Sequence, residues 1–253
     1  MMDSVAIAPL PSGVVDDSPH YRPLYRQVYD YLVKQIADGG WRPGEALPSE
    51  QALAAKLGVS QGTVRKALDS LAIETLIERR QGKGTYVAEH TQERSLFRFF
   101  RLATEDGQRA VPTSADETVK RRAAKPVEVR KLLLKPAAQV VEINRTRFVG
   151  GEPVVHERIV VPLALFPGID RRSPLPNALY QLYQQHYGFN IVAAEEQLRA
   201  DLARREDTRR LNLAPGQALL HIERVAVSLD GPRVEWRVSR CDTTHLVYAV
   251  TLA

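Results

Sequence analysis

Two groups of residues in this chain have types and spacings that could do chemistry. The first runs Ser60-Gln61-Gly62-Thr63-Val64-Arg65-Lys66. Ser60, Gln61 and Thr63 carry short groups that donate and accept hydrogen bonds, and Arg65 follows one helical turn later. Such a set can address base edges or phosphates. Some fifteen residues on, Arg79, Arg80 and Lys83 surround Gly82 and Gly84. Glycine lets a backbone come close to a surface, and the cations suit phosphate. Read alone, Arg65 and Lys66 are equally a solvated helix face. The second group is Arg145 and Arg147. Two residues apart on a strand, they point to the same side. Two guanidinium groups on one apolar face require an anion. A bound carboxylate, phosphate or sulfate would serve. So would internal acids: Glu157 lies across the expected hairpin, and Glu235 on a later strand.

The elements that must position these groups follow from periodicity. Apolar residues at Val28, Tyr29, Leu32, Val33 and Ile36 give a helix over Tyr25 to Asp38, stopped by Gly39-Gly40. Pro43-Gly44 makes a turn. Ser49 is a candidate N-cap for a second helix with Ala52, Leu53 and Leu57 inside, ended by Gly58. Ser60 caps a third, with Val64, Ala67, Leu68 and Leu71 at helical spacing. Extended pieces at Leu76 to Arg80 and Thr85 to Ala88 flank the hairpin tip Gln81-Gly82-Lys83-Gly84. This order is that of a winged helix-turn-helix, whose second helix enters the major groove.

His90 to Arg94 is polar and reads as a connector and hinge. Beyond it the texture becomes strand-like. Val127 to Leu134, Val140 to Phe148 and Pro153 to Val161 read as strands, with Gly150-Gly151 as a turn. Asn177 to Tyr187 reads as a helix ended by Gly188, while Glu195 to Ala203 and Glu206 to Leu211 are ambiguous. A quasi-repeat is present: Leu132, Leu134, Pro136, Ile143 and Arg145 recur 79 residues later as Leu211, Leu213, Pro215, Ile222 and Arg224. Pro153 is answered by Pro232, preceded by Gly231. The pattern predicts two copies of a leader-strand-turn-strand unit in one pseudo-symmetric antiparallel sheet, with the Asn177 to Tyr187 helix between them. Arg147 corresponds to Ala226, so it is not a repeated architectural residue and is the more purely functional of the pair. Tyr180 offers a hydroxyl to a cavity or to the core; Glu235 suits a ligand amine, hydroxyl or cation, or an arginine.

Composition bounds the function. The chain has 253 residues, 44% of them apolar and 26% charged, with net charge +5. That is enough for two domains. The basic balance permits nucleic-acid binding without establishing it. A single cysteine, Cys241, excludes an internal disulfide or a paired-cysteine zinc site and suits a reducing cytoplasm. No apolar run reaches the ~20 residues of a membrane span. Residues 1–20 lack a basic start and read as a loose leader. The six histidines make no metalloprotease motif, and Cys241 with His245 is a poor basis for a nucleophilic pair. No cofactor is expected.

Pro48-Ser49-Glu50, Leu53-Ala54, Leu57-Gly58-Val59-Ser60, Thr63-Val64-Arg65-Lys66-Ala67-Leu68 and Gly82-Lys83-Gly84-Thr85-Tyr86-Val87 together resemble the GntR family of regulators. The resemblance implies DNA contacts at Ser60, Gln61, Thr63, Arg65, Gly82 and Lys83, with Lys66, Arg79 and Arg80 beside them and Glu50 orienting Arg65. Gln51 and Gln61 stand where that family often has arginine, so the operator is expected to deviate from the usual half-site.

The second half, through Leu96-Phe97-Arg98-Phe99, Arg145-Thr146-Arg147, Gly151-Glu152-Pro153-Val154, Glu157, Ala178-Leu179-Tyr180, Tyr187-Gly188, Leu211-Asn212-Leu213 and Val234-Glu235, resembles the UTRA effector domain of the HutC-type branch. That implies an α+β protein with a chorismate-lyase-like antiparallel sheet and a ligand cavity without catalysis. Phe99, Arg145, Arg147, Glu157, Tyr180 and Glu235 are then the candidate ligand residues. Ala178 replaces the family's usual serine and removes a hydroxyl from that cavity. The expected organisation is a leader (1–20), a DNA-binding domain (21–89), a linker (90–95) and a sensor domain (96–253). The expected partners are a palindromic operator in double-stranded DNA, a small anionic metabolite and a second copy of the chain. The rival expectations are an effector-independent DNA-binding protein and an enzyme that turns over its ligand.

Overall fold

The computed structural model describes residues 22–91, 93, 99–229 and 231–251. The leader expected at 1–20, the Leu96-Phe97-Arg98 motif and connector positions 92, 94 and 95 lie outside them. One compact unit ends at Ala88 and a second begins at Glu89. No helix of the described residues is long and apolar enough to cross a membrane.

The first unit packs three helices against a small wing. α1 (Leu24–Ala37) buries Val28, Tyr29, Leu32 and Ile36. α2 (Glu50–Leu57) starts at Ser49, whose Oγ accepts from the Ala52 N–H at 3.2 Å. It ends at Gly58, left-handed at φ 65°, a conformation costing an L-residue about 1–2 kcal/mol. α3 (Gln61–Ile73) is capped by Ser60, whose Oγ accepts from the Thr63 N–H at 3.1 Å. It buries Val64, Ala67, Leu68 and Leu71 between the other helices. β1 (Ile77–Arg80) and β2 (Gly84–Val87) pair from Ile77↔Val87 to Arg80↔Gly84. Residues 44–47, which the sequence marks only as following a turn, add a third extended piece: Leu47 N–H donates to Thr85 O and Val87 N–H to Glu45 O.

The second unit is a six-stranded antiparallel sheet in the order β4-β5-β6-β9-β8-β7. Its strands are β4 (Thr113–Ala123), β5 (Gln139–Val149), β6 (Glu152–Pro162), β7 (Ile191–Leu202), β8 (Ala218–Ser228) and β9 (Arg233–Cys241). Two short strands, β3 (Leu102–Thr104) and β10 (Leu246–Tyr248), pair separately. The 79-residue repeat becomes a symmetry of the sheet. β5 and β8 begin and end 79 residues apart, and β6 and β9 meet at the centre.

The repeated leader is a helix, which corrects the strand expected at Val127 to Leu134. α4 (Pro126–Leu132) and α6 (Arg205–Leu211) each have seven residues and end in a left-handed residue, Leu133 or Asn212. Pro126 sits where a helix lacks a donor requirement. Glu128 and Asp207, each the third residue of its helix, accept from the backbone N–H of Lys125 and Arg204. α5 (Leu179–Tyr187) lies between the copies. Its Leu179, Leu182 and Tyr183 pack on Val141, Ile143, Ile159 and Val161, one face of the sheet. Val140, Val160, Val225, Trp236 and Val238 alternate to the other face and pack with Leu132. The edge strand β4 went unforeseen, and Glu195 to Ala203, left ambiguous, is the opposite edge, β7.

Candidate functional site

In the first unit the opening turn of α3 is exposed at Ser60, Gln61, Arg65 and Lys66. Glu50, the first residue of α2, organises it. The Nε and Nη2 of Arg65 donate to Glu50 Oε2 at 3.0 and 2.8 Å, and Gln61 Nε2 donates to the same oxygen at 3.2 Å. The hydrogen bond from Arg65 holds the Glu50 carboxyl below its usual range. Arg79 reaches back from the wing to Asp69 (2.6 Å) and Glu50 (3.8 Å). Arg80 pairs with Glu78 and lies 4.1 Å over the Tyr86 ring. Lys66 sits 4.2 Å over Tyr25. The Ser60 hydroxyl is occupied by the cap and by Thr63 Oγ1 at 2.9 Å. At the tip Gly82 is left-handed at φ 68°, and the exposed ammonium of Lys83 has no acidic partner among the described residues. Exposed pairs of this kind are worth about 1 kcal/mol or less, so a phosphate can displace them.

In the second unit a cavity of about 50 Å³ lies on the α5 side of the sheet. Its floor is Arg145 and Arg147 of β5, Val155 and Glu157 of β6, Ile222 and Arg224 of β8, and Arg237, Ser239 and Cys241 of β9. Asn177 to Tyr180, Phe99 to Leu102 and Tyr248 close it. Four buried arginines crowd this space beside the half-buried Arg101, and three of the four have acids. Arg145 Nε donates to Glu157 Oε2 at 2.8 Å. Arg237 donates from Nη1 to Glu157 Oε1 at 3.2 Å, and from Nε and Nη2 to the two oxygens of Glu235, both at 2.9 Å. Arg224 pairs with Glu196 at 2.5 Å. Burial would raise the Glu157 carboxyl; Arg237, Arg145 and Arg147 overcome it and hold the group far below the usual carboxylate range.

Arg147 differs. It is 2% exposed, yet no carboxylate pairs with it among the described residues. Its Nη1 donates to Ser114 Oγ (2.7 Å) and Asn177 O (2.9 Å); its buried Nε has no partner among the described residues. Burial pushes its pKa down to about 9, with Glu157 opposing and Arg145 and Arg237 assisting. An arginine still keeps its proton at neutral pH, so the floor holds one positive charge in excess.

The structure thus gathers Phe99, Arg145, Arg147, Glu157 and Tyr180 around one cavity. Glu235 does not line it. That carboxylate is fully buried, and Tyr180, Tyr183 and Arg237 donate to its oxygens. It is the internal counter-charge of Arg237 and stands off the cavity lining. The Tyr180 hydroxyl is likewise spent on Glu235, while its ring meets Phe99 edge-on at 4.6 Å. Ala178, the N-cap of α5, gives no side-chain hydrogen bond to the helix's first turn, which leaves the orphan N–H donors of that turn uncapped at the cavity wall. Sequence reasoning missed Ser114, Asn177 and Arg237. The alternation Glu235, Arg237, Ser239 along β9 is the signal that would have found the last. Cys241 is buried, burial raises its thiol, and His245 is exposed, so they form no reactive pair.

Comparison with known proteins agrees across both units. The family model described as "Bacterial regulatory proteins, gntR family" matches residues 24–87, and that of the UTRA domain matches 107–246. The chain is 30% identical to the mannosyl-D-glycerate transport/metabolism system repressor MngR of Escherichia coli K12, over 85% of this chain and 90% of that one. It is 30% identical to the histidine utilization repressor of Pseudomonas putida, over 80% and 81%. Among solved structures, the ligand-binding domain of a GntR-family regulator from Bordetella bronchiseptica superposes with TM-score 0.57 at 27% identity, covering 60% of this chain and 96% of that domain.

Proposed function

The chain belongs to the GntR family of bacterial regulatory proteins, in the HutC-type branch that joins the DNA-binding domain to a UTRA domain, and on that premise we propose that it is a repressor released by a compact anionic metabolite. Members of this family bind DNA through the first domain and a small-molecule effector through the second. The observation that carries the anionic reading is the guanidinium of Arg147, unmatched among the described residues and buried in the cavity beside three other buried arginines that all have acids. A buried, uncompensated charge is costly. A ligand carboxylate, phosphate or sulfate removes that cost. The mannosyl-D-glycerate in one relative's name carries a carboxylate.

On the DNA side, Gln61, Thr63 and Arg65 are assigned to base edges, and Gly82, Lys83 and Arg80 to phosphates. Glu50 and Arg79 hold Arg65 and the wing in place, and Ser60 and Lys66 support the same turn. A two-fold dimer reading a palindromic operator in the cytoplasm, without turnover of the ligand, completes the proposal. A ligand that binds the folded state stabilises it by about 2.7 kcal/mol at 100 times its Kd, which raises Tm by several degrees. Thermal melts against a panel of carboxylated, phosphorylated and neutral metabolites test the reading. The expected result is that an anionic compound shifts the wild type and leaves Arg147→Met unmoved. A neutral compound shifting both equally would remove Arg147 as the anchor.

A further inference from the structure

We infer that Ser114 and Asn177 are positioning residues for Arg147, gripping one end of its guanidinium so that the Nε–Nη2 edge faces the ligand; the bound group is then one that offers two oxygens side by side. This deepens the reading of Arg147 as the anion anchor and rests on it.

The hydrogen-bond roles around Arg147 are fixed by chemistry. Arginine only donates, so Ser114 Oγ accepts from Nη1 at 2.7 Å and its own proton is free for Asn177 Oδ1, 2.9 Å away. The carbonyl of Pro112 only accepts, so Asn177 Nδ2 donates to it at 2.8 Å. That sets which end of the Asn177 amide faces Ser114. The backbone carbonyl of Asn177 takes the second Nη1 proton at 2.9 Å. Both protons of Nη1 are thus engaged by a closed polar ring. Phe100 lies over the guanidinium with its ring centre 5.6 Å away. Among the described residues neither the buried Nε–H nor Nη2 has a partner.

The neighbouring arginines show what such an edge takes. Arg237 puts Nε and Nη2 on the two oxygens of Glu235, both at 2.9 Å. Arg224 turns its Nε and Nη2 to Glu196, and Arg145 its Nε to Glu157. In each case a carboxylate meets the Nε side. Arg147 presents the same edge with no acid on it among the described residues. Two parallel N–H groups match two oxygens of a carboxylate, phosphate or sulfate.

Ser114 reaches this place because β4 is bulged. Its register against β5 shifts between Ala115 and Thr118, and Asp116 is left-handed at φ 52°. A bulge re-aims side chains next to it. The same bulge turns Glu117 to accept from the Leu175 N–H at 3.0 Å, which fixes the segment carrying Asn177.

The test uses the full chain with ¹⁵N-labelled arginine. The Nε–H resonance of Arg147 is identified by its absence in Arg147→Lys. Acetate, inorganic phosphate and sulfate are then titrated separately. The expected result is a saturable shift of this resonance in the wild type for at least one anion. Binding of that anion is expected to weaken roughly tenfold in Ser114→Ala, the size of one charged hydrogen bond, and to recover in Ser114→Thr, which keeps the hydroxyl. If the wild type binds at Arg147 and Ser114→Ala binds equally well, the positioning role is overturned while the anchor stands. If Ser114→Thr binds as weakly as Ser114→Ala although both melt with the wild type, the hydroxyl is not the cause and the inference is equally overturned. If no anion moves the resonance in the wild type, the anchor itself falls and this inference with it.

Discussion

The two copies of the repeat in the sensor sheet build the same scaffold and differ at a position on the cavity. β5 and β8 match end to end, and Arg145 and Arg224 stand 79 residues apart on them. Both arginines are buried, both line the cavity, and both have an acid, Glu157 or Glu196. The caps match as well: Glu128 and Asp207 sit at the same place in α4 and α6, each buried and each joined to an arginine, Arg122 or Arg240. Two residues beyond the matched arginines the copies differ. One has Arg147, charged and without an acid among the described residues; the other has Ala226, fully buried among apolar neighbours. Repetition marks what the fold needs. The departure from it falls on the proposed ligand anchor.

Substitutions can break or sharpen this contrast. The largest effect is expected at Glu157. Glu157→Gln leaves Arg145 without an acid and Arg237 with one fewer, and breaking a buried pair costs about 3–5 kcal/mol; urea unfolding showing a loss under about 1 kcal/mol would mean the arginines repack. Glu128→Gln and Asp207→Asn come next. Each removes a capping carboxylate and an ion pair, about 2 kcal/mol together, and if the copies are equivalent scaffold the two losses should agree within about 1 kcal/mol. Widely unequal losses would mean that the repeat is one of shape alone.

A smaller effect is expected from pH. Burial holds the imidazoles of His156 and His221 below their ordinary pKa. The unfolded chain therefore binds protons first, near pH 6.5. Stability from this source is full above that pH and falls as the pH drops toward the folded pKa values. Melts from pH 7.5 to 5.5 should show a loss in the wild type, reduced in His156→Gln. A loss of the same size in that variant would acquit the histidine. Smallest of all is the effect of Arg147→Met on the fold. It removes an uncompensated charge but leaves Ser114 and the Asn177 carbonyl without their donor, so stability should stay within about 1 kcal/mol of the wild type. A loss like that of Glu157→Gln would make Arg147 scaffold after all.

The DNA-binding unit was legible because its signals are local. Ser49 and Ser60 cap helices three residues away, and Gly58 turns the chain between them. The sensor unit was legible where β-branched apolar runs are bounded by a turn signal, as in β5 and β6 on either side of Gly150-Gly151, strands that are buried on both faces. It was misread at Val127 to Leu134, where β-branched and leucine residues suggest a strand; Pro126 and Glu128, a helix start and its cap, were the better evidence. β4 escaped because it is a mostly exposed edge whose bulge at Asp116 breaks the alternation. Ser114 was lost with it, since its tie to Arg147 spans 33 residues and exists only once the sheet has formed. Glu235 was placed in the right neighbourhood with its alternatives open, and its oxygens accept from Tyr180, Tyr183 and Arg237, partners too far along the chain or too dependent on the fold to be read from the sequence.

The central claim is that an anion on Arg147 changes how the protein holds DNA. The direct measurement takes an operator duplex selected by the wild-type protein from a random pool. Its affinity is then followed by fluorescence anisotropy, with and without the stabilising anion, for wild type and Arg147→Met at one salt concentration. The account predicts that both proteins bind the bare operator alike. Saturating anion should weaken the wild type by roughly 5–150-fold, the usual range of allosteric coupling, and leave Arg147→Met unchanged. An Arg147→Met protein that still releases the operator when the anion is added would contradict it.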